Sequence, residues 1–265
     1  MKSLFAALLL AAGPGYADGI VLIQSTTSTQ SSGLYEYLLP IAEDALDLDI
    51  RVVAVGTGQA LRNAERCDGD LLITHAQDRE QAFVAAGFGS ARYDLMYNDF
   101  VLVGPASDPA GVTTAPDIRA ALGLIAAAQT LFASRGDDSG THLKELSLWY
   151  GIADVDAASG TWYRETGSGM GATLNISVGM SAYTLTDRAT WIAFENRGPL
   201  ALLFAGDAAL FNQYGVIPVA PSHCPNINAA GAEAVADWLL SPPGQAAIAG
   251  FTRDGQQLFF PNAEQ

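Results

Sequence analysis

The sequence predicts an α/β protein of two lobes, each a mostly parallel sheet flanked by helices. Three observations carry this. Short β-branched, apolar runs alternate with helix-compatible segments from the start of the chain, the rhythm of a parallel sheet covered on both faces. At 265 residues the chain exceeds one typical α/β core. No low-complexity or flexible linker divides it, so two lobes would have to share strands that cross between them.

The elements follow in order. Met1 and Lys2 give a positive start, residues 3–12 an apolar run, and Gly15-Tyr16-Ala17 the small residues that a signal peptidase reads before Asp18. Residues 1–17 therefore read as a secretory signal peptide, too short to anchor in a bilayer. Residues 20–23 form a strand, followed by a polar run over 25–32. A helix over 33–45 places Leu34, Leu38, Ile41 and Ala45 on one face, with a kink at Pro40. Strand 50–55, a Gly56-Thr57-Gly58 turn, helix 59–66, strand 70–74 and helix 79–86 continue the pattern. Strand 99–104 ends in Gly104-Pro105, and the composition shifts there. A helix opening at Thr113 to Asp117, strand 131–133 and helix 141–150 follow. Segments 172–178, 183–186 and 200–204 keep the alternation, and 214–220 is the last strand. Helices 228–240 and 244–251 flank Ser241-Pro242-Pro243. With 99–104 and 214–220 as the crossing strands, lobe I comprises 18–100 and 215–265, and lobe II comprises 101–214.

Charge narrows the function. There are 13 Lys and Arg against 28 Asp and Glu, a formal net charge of −15, and loss of Lys2 on export takes it to −16. Nucleic acid and anionic lipid surfaces both need clustered cations, so neither is an expected partner. Export permits disulfides. Cys67 and Cys224 are the only two cysteines, which leaves one possible intramolecular bridge or two buried thiols. Neither suggests a His–Cys metal cluster, and no protein-held metal or cofactor is expected.

Four strand-to-helix junctions are dense in hydroxyls and glycines: 25–33, 55–60, 134–142 and 167–173. In open α/β sheets ligands bind at such junctions, against helix N-termini whose N–H groups are unpaired. One junction alone would be a routine N-cap. Four, one of them carrying Arg135, point to a small, fully ionised tetrahedral anion. Asp137 and Asp138 read as a helix cap and an ion pair that orients Arg135, in preference to a metal-binding carboxylate pair. Enzyme signatures are sparse. Ser139 and His142 allow a secreted Ser/His hydrolase, but no G-x-S-x-G elbow, Walker A or dinucleotide fingerprint occurs. Trp149, Trp162, Trp191 and Trp238 read as packing residues.

Specific blocks then carry a resemblance. They are Ser25-Thr26-Thr27-Ser28-Thr29 with Ser32-Gly33-Leu34; the run 53–60; the run 96–105; Ser134 to His142, with its Arg-Gly-Asp-Asp-Ser-Gly-Thr-His core, followed by Lys144-Glu145-Leu146; and 165–174 followed by 182–188. In this order they span nearly the whole mature chain, which resembles the periplasmic tungstate-binding proteins of tungstate ABC importers. The resemblance implies a type II periplasmic-binding-protein fold that closes its two lobes on one oxyanion, tungstate or molybdate. It implies contacts from Thr27, Ser28, Thr57, Arg135, Ser139 and Thr141, and from backbone donors at Met170. Thr26, Gly58, Asp137, Asp138, Gly169 and Gly171 would support them. It also implies a monomeric periplasmic receptor, not an enzyme, that serves a membrane permease. Ser222-His223-Cys224 departs from the family pattern, so the bridge rests on compartment chemistry alone.

Phosphate is the instructive rival of the same fold. It carries a proton near pH 7 and wants an acceptor carboxylate in its site, whereas tungstate wants donors only. The direction in which Asp137 and Asp138 turn separates the two.

Overall fold

The computed structural model describes residues 19–263, so the expected signal peptide over 1–17 lies outside the described residues. Strand β1 (Ile20–Thr26) runs straight into a short helix, α1 (Thr27–Ser32), where the sequence suggested only a polar run. Hydroxyls make the helix: Thr26 caps it by accepting from the Thr29 amide, and Ser32 Oγ donates to the Thr29 carbonyl at 2.7 Å. Gly33, at φ +83, ends α1 and opens α2 (Leu34–Leu46), a left-handed position that suits glycine. Helix α2 contains Pro40 and buries Leu34, Tyr35, Leu38 and Ala42. Then come β2 (Asp49–Val55), α3 (Thr57–Glu65), β3 (Leu71–Thr74) and α4 (Gln77–Ala85).

Strand β4 (Tyr93–Pro105) organises the molecule. Its first half, Tyr93 to Asp99, pairs antiparallel with β9 (Phe211–Pro218). Its second half, Phe100 to Pro105, pairs antiparallel with β7 (Thr184–Asp187) and β8 (Leu200–Phe204). One continuous strand thus belongs to two sheet regions. Beyond β9 the first region runs through β3 and β1 to β2, with β1 parallel to both its neighbours. The second region carries α5 (Ile118–Ala128), β5 (Phe132–Ser134), α6 (Gly140–Trp149), α7 (Val155–Ala158), β6 (Tyr163–Glu165), α8 (Met170–Met180) and α9 (Arg188–Ala193). Strands β5 and β6 pair in parallel. The sheets are therefore mixed: parallel βα units build each lobe, and the crossing strands run against them. Helices α10 (Ala229–Leu240) and α11 (Pro242–Gly250) return to the first lobe. After them come a small hairpin of β10 (Thr252–Arg253) with β11 (Gln256–Gln257), and an edge strand, β12 (Phe260–Pro261), against β4.

Packing explains why β4 can serve both lobes. Phe100 and Leu102 point into one core with Phe132, Trp149, Trp162 and Tyr163. Val101 and Val103 point to the opposite face, with Met170, Leu174 and Trp191. A strand covered on both faces reads as an unbroken apolar run. The first half of β4 carries Asp94, Asn98 and Asp99, which interrupt that signal, so sequence reasoning found only 99–104. In the first lobe, Val21, Ile23, Leu71 and Tyr214 pack beneath α2 and α10. Leu72 and Ile217 pack on the other face with Ala60, Leu61 and Phe83.

Cys67 and Cys224 are bonded, with Cα atoms 5.5 Å apart and 157 positions between them in the chain. The bridge ties the segment after α3 to the segment before α10. A crosslink across so long a loop mainly restricts the unfolded chain, and we expect its removal to cost about 2–5 kcal/mol. Thermal unfolding with and without reductant, and of Cys67→Ser/Cys224→Ser, should show a clearly lowered Tm, and an unchanged Tm would refute the stabilising role.

Glu145 lies buried on α6 and accepts from Tyr163 Oη at 2.6 Å. Burial raises its pKa from the ordinary 4.5 to about 8. The folded chain therefore holds this proton more tightly than the unfolded chain does. Its contribution is fully present below pH 4.5 and is lost as pH rises through 8. Glu145→Gln keeps an acceptor for Tyr163 and removes the titration. It should melt above the parent at pH 9, with the gap closing toward pH 4.5 in a pH series of melting curves.

Candidate oxyanion site

The four hydroxyl-rich junctions meet where the two lobes face each other. Thr27 is exposed in part, whereas Ser28, Thr57, Arg135, Ser139, Thr141 and Met170 are all at most 1% exposed. Their bonding has a common direction. Thr27 Oγ1 accepts from Arg135 Nη2 at 3.0 Å, Thr57 Oγ1 from the Gly140 amide at 2.8 Å, and Ser139 Oγ from the His142 amide at 3.2 Å. An N–H can only donate, so each of these hydroxyls keeps its own proton for another partner. Thr141 Oγ1 is buried and has no hydrogen-bond partner among the described residues. Thr26 Oγ1 is engaged mainly with Thr29 as the cap of α1 and lies 3.5 Å from Ser28 Oγ.

Arg135 is the charged member. Its Nη2 binds Thr27 and the Asp137 carboxylate, and Nε reaches the Ser168 carbonyl at 3.4 Å. Nη1 is buried with no partner among the described residues. Burial lowers the guanidinium pKa, opposed by the charge and hydrogen bond of Asp137. Asp137 and Thr27 hold one prong of the guanidinium fork, so Nη1 is the prong left free. A buried guanidinium N–H without an acceptor is costly, which makes this the position where an anion gains most.

Both aspartates are held by cations and backbone N–H groups. Asp137 takes Arg135 and accepts from the Ser139 amide at 3.3 Å. Asp138 crosses to the first lobe, pairing with Arg79 at 2.9 Å and lying 3.8 Å from Arg62, while its carbonyl accepts from the Gly58 amide. A Cβ at position 58 would sit 2.1 Å from Asp138 Oδ2, so any other residue there would displace that carboxylate. Helices α3 and α8 begin at Gly56 and Gly169, neither with a side-chain cap. Their first amides are thus not consumed by a capping side chain, and Met170 and Gly171 supply those of α8.

Several residues of this region escaped sequence reasoning. Thr190 donates to the Ser28 carbonyl at 3.1 Å and to buried Asp187, tying α9 to α1. Burial raises the Asp187 pKa to about 6, against hydrogen bonds from Thr190. His75 faces Ser28 Oγ through Nε2 at 3.3 Å and Asn212 Oδ1 through Nδ1 at 3.0 Å. The contacts of Ser28 with His75 and Thr190, and of His75 with Asn212, span 47, 162 and 137 positions, so no local motif announces them. Beside the cluster, a cavity of about 580 Å³ is lined by His75, Arg79, Phe100, Gly140, Lys144 and Asn212, and by none of the seven expected contact residues.

Among the described residues no hydrogen bond joins the Ser139 hydroxyl to the His142 ring, the pairing that a Ser/His hydrolase needs. Ser139 Oγ accepts from the backbone of His142, whose ring Nδ1 instead accepts from the Asp138 amide at 3.1 Å. His223 does lie within 4.8 Å of both cysteine sulfurs, contrary to the expectation that neither joins a His–Cys cluster. Both sulfurs are consumed in the disulfide, so they offer no thiolate.

Comparison with known proteins agrees with this architecture. A family model described as a PBP superfamily domain matches residues 13–243. The tungstate-binding protein TupA of Peptoclostridium acidaminophilum is 45% identical over 251 residues, covering 93% of this chain and 87% of the relative. The solved tungstate-binding protein TupA from Desulfovibrio alaskensis G20 is 46% identical with a TM-score of 0.78, covering 93% of this chain and all of that one. The structure described as the tungstate ABC transporter from Geobacter sulfurreducens is 44% identical with a TM-score of 0.80, covering 88% and 98%. Fold, site and relatives agree that this chain belongs to the PBP superfamily, in the family of the tungstate-binding proteins of ABC transporters.

Proposed function

We propose that this protein captures a fully ionised tetrahedral oxyanion, tungstate or also molybdate, and delivers it to the permease of an ABC importer. One observation carries the reading. Arg135 is buried with an unpartnered Nη1, beside hydroxyls whose oxygens already accept from fixed N–H groups. Such a cluster donates and has little to accept with. A protonated phosphate needs an acceptor, and Asp137 and Asp138, which would supply one, are bound to Arg135 and Arg79.

Thr27, Ser28, Thr57, Arg135, Ser139, Thr141 and the Met170 amide form the proposed cage. Lobe I (18–100 and 215–265) and lobe II (101–214) hinge about β4 and β9. Closure brings Arg135 to Thr27, Gly140 to Thr57 and Asp138 to Arg79. The oxyanion favours the closed form because its donors come from both lobes, and this differential affinity drives the shift. The receptor acts in the periplasm as a monomer, with its lobe tips presented to the permease. Among the described residues no helix is long and apolar enough to cross a membrane.

Calorimetric titration with tungstate, molybdate, sulfate and phosphate tests the reading. Tight tungstate binding is expected; tight phosphate binding without a tungstate response would overturn it. Arg135→Lys should weaken tungstate binding by about tenfold or more, since a lysine cannot hold Thr27, Asp137 and the anion together. Unchanged affinity in that variant would remove Arg135 from the cage.

A further inference from the structure

Of the cage hydroxyls without a fixed N–H donor, Thr141 has no partner among the described residues, and Ser28 alone leads into a buried relay. Its partner is His75 Nε2; His75 Nδ1 meets the Asn212 amide; and the Asn212 amide meets that of Asn98 at 2.6 Å. All four residues are buried. Asn98 and Asn212 face each other in register on β4 and β9, the two strands about which the lobes meet. The ring is fixed in place. It stacks on Tyr214 at 4.8 Å, lies 6.2 Å from Phe100, and touches Gly140 so closely that a Cβ there would come within 2.8 Å. Burial lowers the His75 pKa to about 4, so at neutral pH the ring is uncharged and carries a single N–H.

That proton gives the relay two possible directions. With Asn212 Oδ1 toward His75, the proton sits on Nδ1, and Nε2 is a lone pair. Ser28 then donates to His75, its nearer partner at 3.3 Å against 3.5 Å for Thr26 Oγ1, and it faces the cage with lone pairs only, which repel an oxyanion. This direction also leaves Asn98 Nδ2 buried without a partner. Amide oxygen and nitrogen are isosteric, so turning over both amides reverses the relay at the same heavy-atom positions. Asn98 Nδ2 then donates to Asn212 Oδ1, Asn212 Nδ2 to His75 Nδ1, and His75 Nε2–H to Ser28 Oγ. The buried donor gains its acceptor, Asn98 Oδ1 takes the unpartnered position in its place, and the Ser28 proton becomes free. Ser28 now matches Thr27, Thr57 and Ser139, each of which accepts from an N–H.

We infer that His75 is a positioning residue that holds its proton on Nε2 in the oxyanion-bound protein, and that the Asn98–Asn212 pair locks this direction so that Ser28 donates. The relay then selects fully deprotonated tetrahedral oxyanions over those that carry a proton, because the reversed relay would offer an O–H-bearing anion the acceptor it needs. This rests on the oxyanion-binding function proposed above and assigns the origin of its selectivity.

Nitrogen-15 NMR of the histidine-labelled full chain tests it, with the His75 signals identified by their loss in His75→Phe. Saturation with tungstate should show His75 protonated on Nε2, with Nδ1 as the unprotonated nitrogen. A complex in which Nδ1 carries the proton overturns the inference while leaving the binding function intact. Absence of tungstate binding by calorimetry overturns that function, and the inference with it. As a second readout, Ser28→Ala and His75→Phe should each weaken tungstate binding by about ten- to a hundredfold. The double variant should be no weaker than Ser28→Ala alone. Losses that multiply in the double variant would mean that His75 does not act through Ser28 and would refute the positioning role.

Discussion

Burying one arginine between two lobes is the constraint on which the rest of this structure depends. A guanidinium out of water demands partners for every N–H. Here Asp137 supplies the counter-charge and Thr27 and Ser168 accept two further contacts, leaving Nη1. Asp137 therefore does two jobs. It makes the buried cation tolerable in the absence of ligand, and it weakens the pull of that cation on an anion. A site built this way draws its affinity from many neutral donors more than from one charge. In a water-poor cleft each neutral donor is worth more than in solution.

The same economy explains why both lobes share strands instead of being joined by a linker. The hydroxyl cluster is assembled from α1 and α3 on one side and from the loops before α6 and α8 on the other. Its geometry has to be reproduced each time the lobes meet. A continuous β4, paired with β9 in one half and with β7 and β8 in the other, fixes the relative path of the two bodies. Asn98 and Asn212 lie at the junction where β4 changes partners, so the proposed hinge and the proposed relay to Ser28 are built from the same residues.

Much of the fold was legible in the sequence because it obeys local rules. The βα alternation, the apolar second half of β4 and the cap at Asp117 are short-range signals, whereas the cap of α6 is Ser139 and not Asp137 or Asp138 as the sequence suggested. What escaped was either masked or long-range. Polar residues in the first half of β4 hid a strand whose pairing is satisfied by β9, and a hydroxyl-rich segment formed α1 through its own side-chain caps. The cage candidates could be named one junction at a time, but His75 and Thr190 could not. A histidine after a strand and a threonine at the start of a helix carry no mark of partners more than a hundred positions away.

The net charge of −15 now has a physical place in the argument. Exposed carboxylates raise the long-range barrier for an approaching dianion, an effect cut to within about 8–10 Å by physiological salt. Donors in the cage act only at contact, where no screening ion fits. The two effects therefore operate in separate regimes of distance, and an acidic surface is compatible with a tight anion site. It even adds discrimination: polyanions such as nucleic acid meet the repulsive surface with every charge they carry, whereas a single small oxyanion crosses it once and is then held by hydroxyls that the surface charge does not reach.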